Sequence, residues 1–479
     1  MSVHPLSSAL LVSHWLVVVG LSLRVITRRP PIGVAMAWLA VVMSVPFVGA
    51  ALYLFFGEKR LGPARSARIA ATLPALHQWQ AHLPKAPDLD PGNHLREMLA
   101  PHAWRALGFP PMDGNHLELL ADVDAVFDRM VGDIRRAQHS VEACFYIWRE
   151  DGRAGEVLAA LTGASARGVS CRVLADATGS KPFLRGDGPQ RLRASGVQVQ
   201  AALPTSALRT LFARADLRNH RKILTLDGTV AYVGSQNLVD PRYFKQDAGV
   251  GRWVDAMVRM EGSAVPALAG VFALDWSVER GLSWEAPRSA PGSPPEPRST
   301  VQVVPSGPDL QPDAIRQLLL TALYGARREI FVTTPYFVPD DALLAALLSA
   351  AQRDVDVILV VPAHVDSRLV RLAGVAHFSD LMAAGARIGL YEDGLLHTKS
   401  LTIDGSLSIF GSVNFDMRSL WLNHEISLFV YDAEFTSRLR ALQAGYLESS
   451  SVLDPVVWSR RPGWRKLAED TCRLLGPIL

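Results

Sequence analysis

Two stretches of this chain carry the same reactive side chains in the same order. His220-Arg221-Lys222 is followed by Asp227, and His397-Thr398-Lys399 is followed by Asp404. Both read H-x-K-x4-D, and both run on to Gly-Ser-x-Asn: Gly234-Ser235-Gln236-Asn237 and Gly411-Ser412-Val413-Asn414. Sliding 220–238 by 177 residues onto 397–415 matches nine residues, where unrelated stretches of that length share about one, so the chain contains an internal duplication. The repeated part is made of imidazole, ammonium and amide groups rather than of a packing pattern. It marks a site as well as a fold.

A His and a Lys two residues apart on a strand point to the same face. Two such strands brought together place two imidazoles and two ammonium groups around one cavity, with Ser235, Asn237, Ser412 and Asn414 as neutral donors. Such a cluster suits a phosphate or phosphodiester whose charge grows in the transition state. One histidine can attack phosphorus while the other protonates the departing oxygen, and neither step needs a metal or a cofactor. A single H-x-K would carry little weight; two copies in one extended frame carry the assignment. Asp227 and Asp404 precede a Gly at a turn, so each either holds its hairpin or supports its Lys. Each histidine also needs an acid to orient it. Order along the chain assigns Asp255 to His220 and Glu425 to His397, 35 and 28 residues downstream, the difference being a seven-residue insertion around 244–251. His424-Glu425 is not a zincin helix, because Leu428 stands where H-E-x-x-H needs its second histidine. The chain has no Walker A sequence, no dinucleotide fingerprint and no acidic cluster with metal-ligand spacing near the repeats.

The elements that must position these groups can be read around them. With 479 residues and a net charge of +3, the chain has room for two or three domains and no bulk charge that demands nucleic acid. Cys144, Cys171 and Cys472 lie too far apart for a disulfide framework or a zinc site. Residues 32–56 are 25 residues without a charge, enough to cross a hydrocarbon core of about 30 Å. With a second apolar run at 6–23 they predict a two-helix transmembrane hairpin over 1–60. A signal peptide fits less well: there is no basic n-region and no A-x-A site. Cations flank both ends, Arg24, Arg28 and Arg29 in the turn against Lys59, Arg60, Arg65 and Arg68 beyond; the reading favours a cytoplasmic body.

Residues 61–112 read as a connector. From Leu117 the pattern is α/β: Leu119, Val123, Val126, Phe127, Met130 and Ile134 at helical spacing, strands at 141–148 and 169–174, a helix at 157–166, then strands at 222–226 and 230–233 around the Asp227-Gly228 turn. Residues 286–300, rich in Pro, Ser and Gly, make a linker. The programme then repeats through strands at 301–304, 329–334 and 357–361, helices at 315–324 and 342–352, and the Asp404-Gly405 turn. Two similar α/β domains follow, 113–285 and 301–479, predicted to meet about a pseudo-twofold axis with one motif each. Near the end, Trp464, Leu467, Ala468, Leu474 and Leu475 share a helical face, with Arg460, Arg461, Arg465, Lys466 and Arg473 around it. That segment either lies on anionic lipid or packs on the body.

The paired blocks resemble the phospholipase D superfamily, whose members work through a phospho-histidine without metal. Val304-Pro305-Ser306-Gly307-Pro308, Thr334-Pro335-Tyr336-Phe337-Val338-Pro339, Asp240-Pro241-Arg242-Tyr243-Phe244, Arg418-Ser419-Leu420-Trp421-Leu422-Asn423 and the N-terminal hairpin narrow the likeness to the A-type cardiolipin synthases of bacteria. The resemblance runs over nearly the whole chain. It implies a multi-pass enzyme of the bacterial inner membrane that moves a phosphatidyl group from one phosphatidylglycerol to another and releases glycerol. It also implies His220 and His397 as the catalytic pair, Lys222 and Lys399 on phosphate, and Asn237 and Asn414 beside them. His220 becomes the attacking group, with His397 as acid and then base. Two other readings remain: a phospholipase D-type phosphodiester hydrolase with water as acceptor, and a lipid-binding scaffold, which would not need both histidines. A nuclease would show a basic stripe and no anchor.

Overall fold

Each H-x-K block leads into an antiparallel strand pair closed by its Asp-Gly turn. Ile223–Leu226 pairs with Val230–Gly234, and Ser400–Ile403 with Leu407–Gly411. Both central turn residues are left-handed, φ 54° and 70° at Asp227 and Gly228, 54° and 67° at Asp404 and Gly405. Only a turn of that hand matches the twist of the strands it joins, and Asp-Gly tolerates it. In the computed structural model, which describes residues 5–29, 32–58, 61–86, 92–204, 214, 216–287, 299–311, 313–474 and 476, these pairs belong to one sheet of fifteen strands.

The sheet is built from two equivalent runs. Outward from its hairpin, the first half adds Ser140–Phe145, Ser170–Asp176 and Gln198–Ala202, mutually parallel. The second adds Glu329–Thr333, Asp356–Pro362 and Arg387–Tyr391, also parallel, with Ser450–Val452 at the edge. Inward, Val230–Gly234 leads through Met257–Gly262 to Met112–Leu120, and Leu407–Gly411 through Glu425–Val430 to Ser299–Ser306. The two halves join where Met112–Leu120 and Ser299–Ser306 pair antiparallel. Buried Asn115 pins a register shift there, donating to Met112 O at 2.7 Å and Ser299 O at 3.2 Å. Helices cover both faces, as parallel strands require. Val123–Arg136 and Arg153–Ala166 pack on one face of the first half, while Val265–Arg280, buried from Val265 to Val278, fills the other.

Three expectations need correction. Leu119 belongs to the strand Met112–Leu120, and the helix starts at Val123, where Asp122 accepts the Ala125 N–H at 2.9 Å. The Asp before the apolar-periodic run was the true boundary signal. The connector holds helices Pro63–Gln80 and His94–Leu107. The second is capped by Asn93 and ended by left-handed Gly108, and buries Leu95 and Leu99 against the second half; internal Pro74 and Pro101 obscured the periodicity of both helices. Most of the 286–300 linker, 288–298, lies outside the described residues, and the strand already begins at Ser299. Cys144, Cys171 and Cys472 are free and buried.

The described residues of 1–67 belong to a compact unit of their own. The described part is helical: Pro5–Thr27, Ile32–Ser44, Pro46–Leu52 and a π-helical turn Tyr53–Gly57. The apolar run expected as one span is interrupted at Val45, whose φ of −137° and ψ of 73° leave the helix before Pro46. Among the described residues no helix is long and apolar enough to cross a membrane. Val25, Val42 and Tyr53 form a small core, Arg24 pairs with Glu58 at 2.6 Å, and Trp15, Leu16, Ile26, Met36 and Val48 are exposed.

Candidate active site

The backbone of each motif is stitched onto the opposite half. His220 N–H donates to His424 O at 2.9 Å, and His397 N–H donates to Val254 O at 2.8 Å. Leu395–Leu396 pairs in parallel with Trp253–Val254, and Asn219 bridges to His424. Each histidine therefore lies beside the acid-bearing segment of the other repeat. His220 Nδ1 is 2.9 Å from Glu425 Oε2, and His397 Nδ1 is 2.6 Å from Asp255 Oδ1. The expected pairing, Asp255 with His220 and Glu425 with His397, is reversed. Chain order could not show this, because the crossing is made by strand pairing between residues far apart in sequence.

The carboxylates are seated by the Gly-Ser-x-Asn serines. Ser235 Oγ donates to Asp255 Oδ1 at 2.6 Å, and Ser412 Oγ to Glu425 Oε2 at 2.5 Å. Glu425 takes two more bonds, from Ser419 Oγ at 2.8 Å and Asn423 Nδ2 at 3.2 Å. The serines expected as phosphate donors thus serve the acids instead. Each lysine Nζ donates to the carbonyl of its own histidine, 2.6 Å for Lys222 and 2.5 Å for Lys399, and both are buried. The asparagines differ. Asn237 Oδ1 accepts from Ile147 N–H at 3.2 Å, leaving its buried Nδ2 without a partner, whereas in Asn414 it is Oδ1 that has none. A buried amide donor with nothing to bond is costly unless a ligand completes it.

Asp227 and Asp404 stand apart from this chemistry. Asp227 accepts the backbone N–H groups of Gln138, His139 and Ser140 at 2.7–2.8 Å, and Asp404 those of Arg327, Arg328 and Glu329 at 2.7–3.0 Å. Each ties its turn to the start of the neighbouring strand. Of the two roles left open for them, the structural one is what the geometry supports.

Burial and the shared lysines govern the charges. Burial, with Lys222 and Lys399 adding to it, draws His220 down to about 4; Glu425 pulls the other way. Burial likewise draws His397 to about 3, against the pull of Asp255. Burial takes Lys222 down to about 8 and Lys399 well below the usual lysine range. Burial raises Asp255, but His397 and Lys399 outweigh it and hold the carboxyl at about 2. Burial thus favours neutral imidazoles and disfavours the charge on both lysines, while the two carboxyls are held below their usual range. A bound anion would favour the charged form of each of these imidazoles and lysines.

A family model described as "Cardiolipin synthase, PLD-like domain" matches 130–253 and 319–443, one copy in each half, and one described as "Phospholipase_D-nuclease N-terminal" matches 16–58. Cardiolipin synthase A of Yersinia pseudotuberculosis serotype O:3 (strain YPIII) is 42% identical over 471 residues, 97% of each chain. That of Edwardsiella ictaluri (strain 93-146) is 42% identical over 472 residues, again 97% of each. The chain belongs to the cardiolipin synthase family. Its fold is also that of phosphatidylserine synthase from Haemophilus influenzae Rd KW20, at a TM-score of 0.56 over 76% of this chain and 95% of that one, with 13% identity.

In this cardiolipin synthase-family site several lining residues escaped sequence reasoning. The Tyr146 ring lies edge-on to His220 at 4.8 Å, and Trp253 against His397 at 4.3 Å. Tyr336 OH donates to Asp366 at 2.9 Å, and Lys245 from the 244–251 insertion reaches the same carboxylate at 2.8 Å. Tyr336, Ser419 and Asn423 lie within family motifs already quoted, which was the available signal. Tyr146 and Asp366 carry none. Among the described residues no group of three or more His, Cys, Asp or Glu is placed to hold a metal ion.

Proposed function

We propose that the chain is a membrane-bound cardiolipin synthase that transfers a phosphatidyl group from one phosphatidylglycerol to another and releases glycerol. The observation that carries this reading is the crossed pair of buried His–carboxylate couples, His220–Glu425 and His397–Asp255, under two lysines. With Nδ1 of each imidazole held by a carboxylate, Nε2 is the nitrogen left for chemistry. His220 Nε2 attacks phosphorus, the bond to the glycerol oxygen breaks, and protonated His397 gives that oxygen its proton. The phosphatidyl group is now on His220, and His397 is neutral. It takes the proton from a hydroxyl of a second phosphatidylglycerol, whose oxygen attacks phosphorus and frees His220. One phosphodiester replaces another, so no nucleotide is needed. Lys222, Lys399 and the Asn237 amide hold the phosphoryl oxygens as charge builds on them.

On this reading the N-terminal hairpin lies in the inner membrane and the catalytic body on the cytoplasmic side. The exposed apolar surface of Trp15, Leu16, Ile26, Met36 and Val48 supports this, as do Arg and Lys at both ends. Substrate and product are anionic lipids; nucleic acid has no place in the cycle. The test is incubation of purified protein with phosphatidylglycerol alone, without ATP, CTP or CDP-diacylglycerol. Cardiolipin and free glycerol are expected. Phosphatidic acid as the main product under lipid-rich conditions overturns the reading in favour of the hydrolase.

A further inference from the structure

The helix Gly463–Arg473 is mounted the wrong way round for a soluble surface. Trp464, Leu467, Thr471 and Leu474 follow one another at three- and four-residue spacing, which puts them on one stripe. That stripe faces outward: Trp464 is 74% exposed, Leu467 69% and Leu474 75%. The opposite side is buried, and it carries an acid. Glu469, 1% exposed, takes Arg461 and Arg465 at 3.2 Å each, and Cys472 beside it packs on Val338 and Ala373. Leu475, expected on the same face, lies outside the described residues. The preceding helix Pro455–Ser459 adds exposed Val456 and Val457. From 455 to the end the sequence holds five cations, Arg460, Arg461, Arg465, Lys466 and Arg473, against Glu469 and Asp470, a local excess of +3 that equals the net charge of the whole chain.

We propose that the outward face of 455–474 is an interfacial docking surface for an anionic phospholipid bilayer, with Trp464, Leu467 and Leu474 entering the headgroup–acyl boundary. An apolar stripe flanked by the exposed Arg460, Arg465 and Arg473, with Arg461 turned inward to Glu469, has the composition such a surface needs. Its place in the fold gives the docking a use. The cluster that receives Cys472 contains Val338, whose strand pairs with Phe415–Asp416 directly after Asn414. The helix it packs against, Arg368–Val375, begins two residues after Asp366, the acceptor of Tyr336. The docking face and one wall of the active site therefore share their supports. Lipid contact at 464–474 holds the site's rim at the leaflet from which its substrate comes.

The test uses the full chain in vesicles of phosphatidylcholine with or without phosphatidylglycerol. All three native cysteines are buried, so an environment-sensitive label can be placed at Leu467→Cys and, as a reference, at Asp128→Cys, whose side chain is 69% exposed. Lipids brominated on the acyl chain should quench the label at 467, more with phosphatidylglycerol present, and leave that at 128 unaffected. Equal quenching at the two positions overturns the proposal. Quenching indifferent to phosphatidylglycerol removes its electrostatic half. A label at 467 that is shielded from bromines in a dimeric chain makes a second copy the occupant instead. This depth reading does not depend on which phosphodiester reaction the site performs. A second arm rests on the proposed substrate: Leu467→Glu should raise the apparent KM for bilayer phosphatidylglycerol about fivefold, because the apolar contact is lost, and leave kcat on detergent-dispersed phosphatidylglycerol unchanged. A loss of kcat in detergent would mean that the substitution damages the fold.

Discussion

Replacing Glu425 by Gln removes a charge from His220 while keeping the shape that Ser412, Ser419 and Asn423 hold in place. The 2.9 Å contact to His220 Nδ1 is a charge-assisted hydrogen bond, because the carboxylate that accepts it is ionised, and is worth about 1.5–3 kcal/mol. At about 1.4 kcal/mol per decade, turnover falls by about 10- to 150-fold. Asp255→Asn acts on His397 in the same range, toward its upper end, because the 2.6 Å contact is shorter and, among the described residues, the Ser235 hydroxyl alone otherwise hydrogen-bonds the acid's side chain. The two variants separate by leaving group. A phosphatidyl ester of p-nitrophenol releases a weakly basic phenolate that needs no proton, so the burst of nitrophenol reports attack alone. His397→Ala and Asp255→Asn should recover that burst, whereas His220→Ala and Glu425→Gln should not. If Glu425→Gln follows His397→Ala instead, the carboxylates are not crossed in solution and the reasoning fails.

Activity should survive exhaustive chelation, since every group in the cycle is a His, Lys, Asn or carboxylate; loss on EDTA treatment with rescue by one divalent ion would count against the mechanism. Lys222, brought down to about 8, is charged below that pH and neutral above it, so kcat/KM should fall as pH rises through about 8; a flat alkaline limb contradicts this assignment. Asp404→Ala removes the acceptor of three backbone N–H groups and leaves a Cβ at φ 54°, which should cost about 2–4 kcal/mol of stability, seen as a lowered Tm with activity per folded molecule retained. Asp404→Asn should cost less, and a collapse of kcat at unchanged Tm would make Asp404 chemical.

The reactive residues were legible because they come twice. A single His220–Lys222 would have passed for an ordinary strand, and it was His397–Lys399 in the same frame that marked both. The α/β halves were legible from hydrophobic runs such as 357–361 and from the two Asp-Gly turns. The partner of each histidine was not. Nothing in a linear sequence separates the acid downstream in the same repeat from the one brought over by the pairing of Leu395–Leu396 with Trp253–Val254. The Tyr336–Asp366–Lys245 contact was hidden for the same reason, because its members sit on three separate loops.

The remaining asymmetry bears on which histidine attacks. Behind His220, the middle residue of the motif is Arg221, fully buried and paired with Asp275. Its Nε donates to Glu425 O at 3.0 Å and its Nη2 to Ser306 O at 3.1 Å. One guanidinium thus ties the segment carrying His220 to the backbone of the residue that orients His220. Behind His397 the same position is Thr398, held by neutral contacts of 3.2 Å to Val254 O and Tyr446 OH. The His397 side also borders the 244–251 insertion, where Lys245 spans to Asp366 near the surface. In-line attack at phosphorus needs a nucleophile fixed in direction, whereas the acid–base partner must admit glycerol on its way out and a second lipid on its way in. Both features support His220 as the attacking residue. Quenching the enzyme during turnover with labelled phosphatidylglycerol should leave the label on the peptide bearing His220. Label confined to the peptide bearing His397 reverses the roles, and the buried Arg221 would then serve the acid rather than the nucleophile.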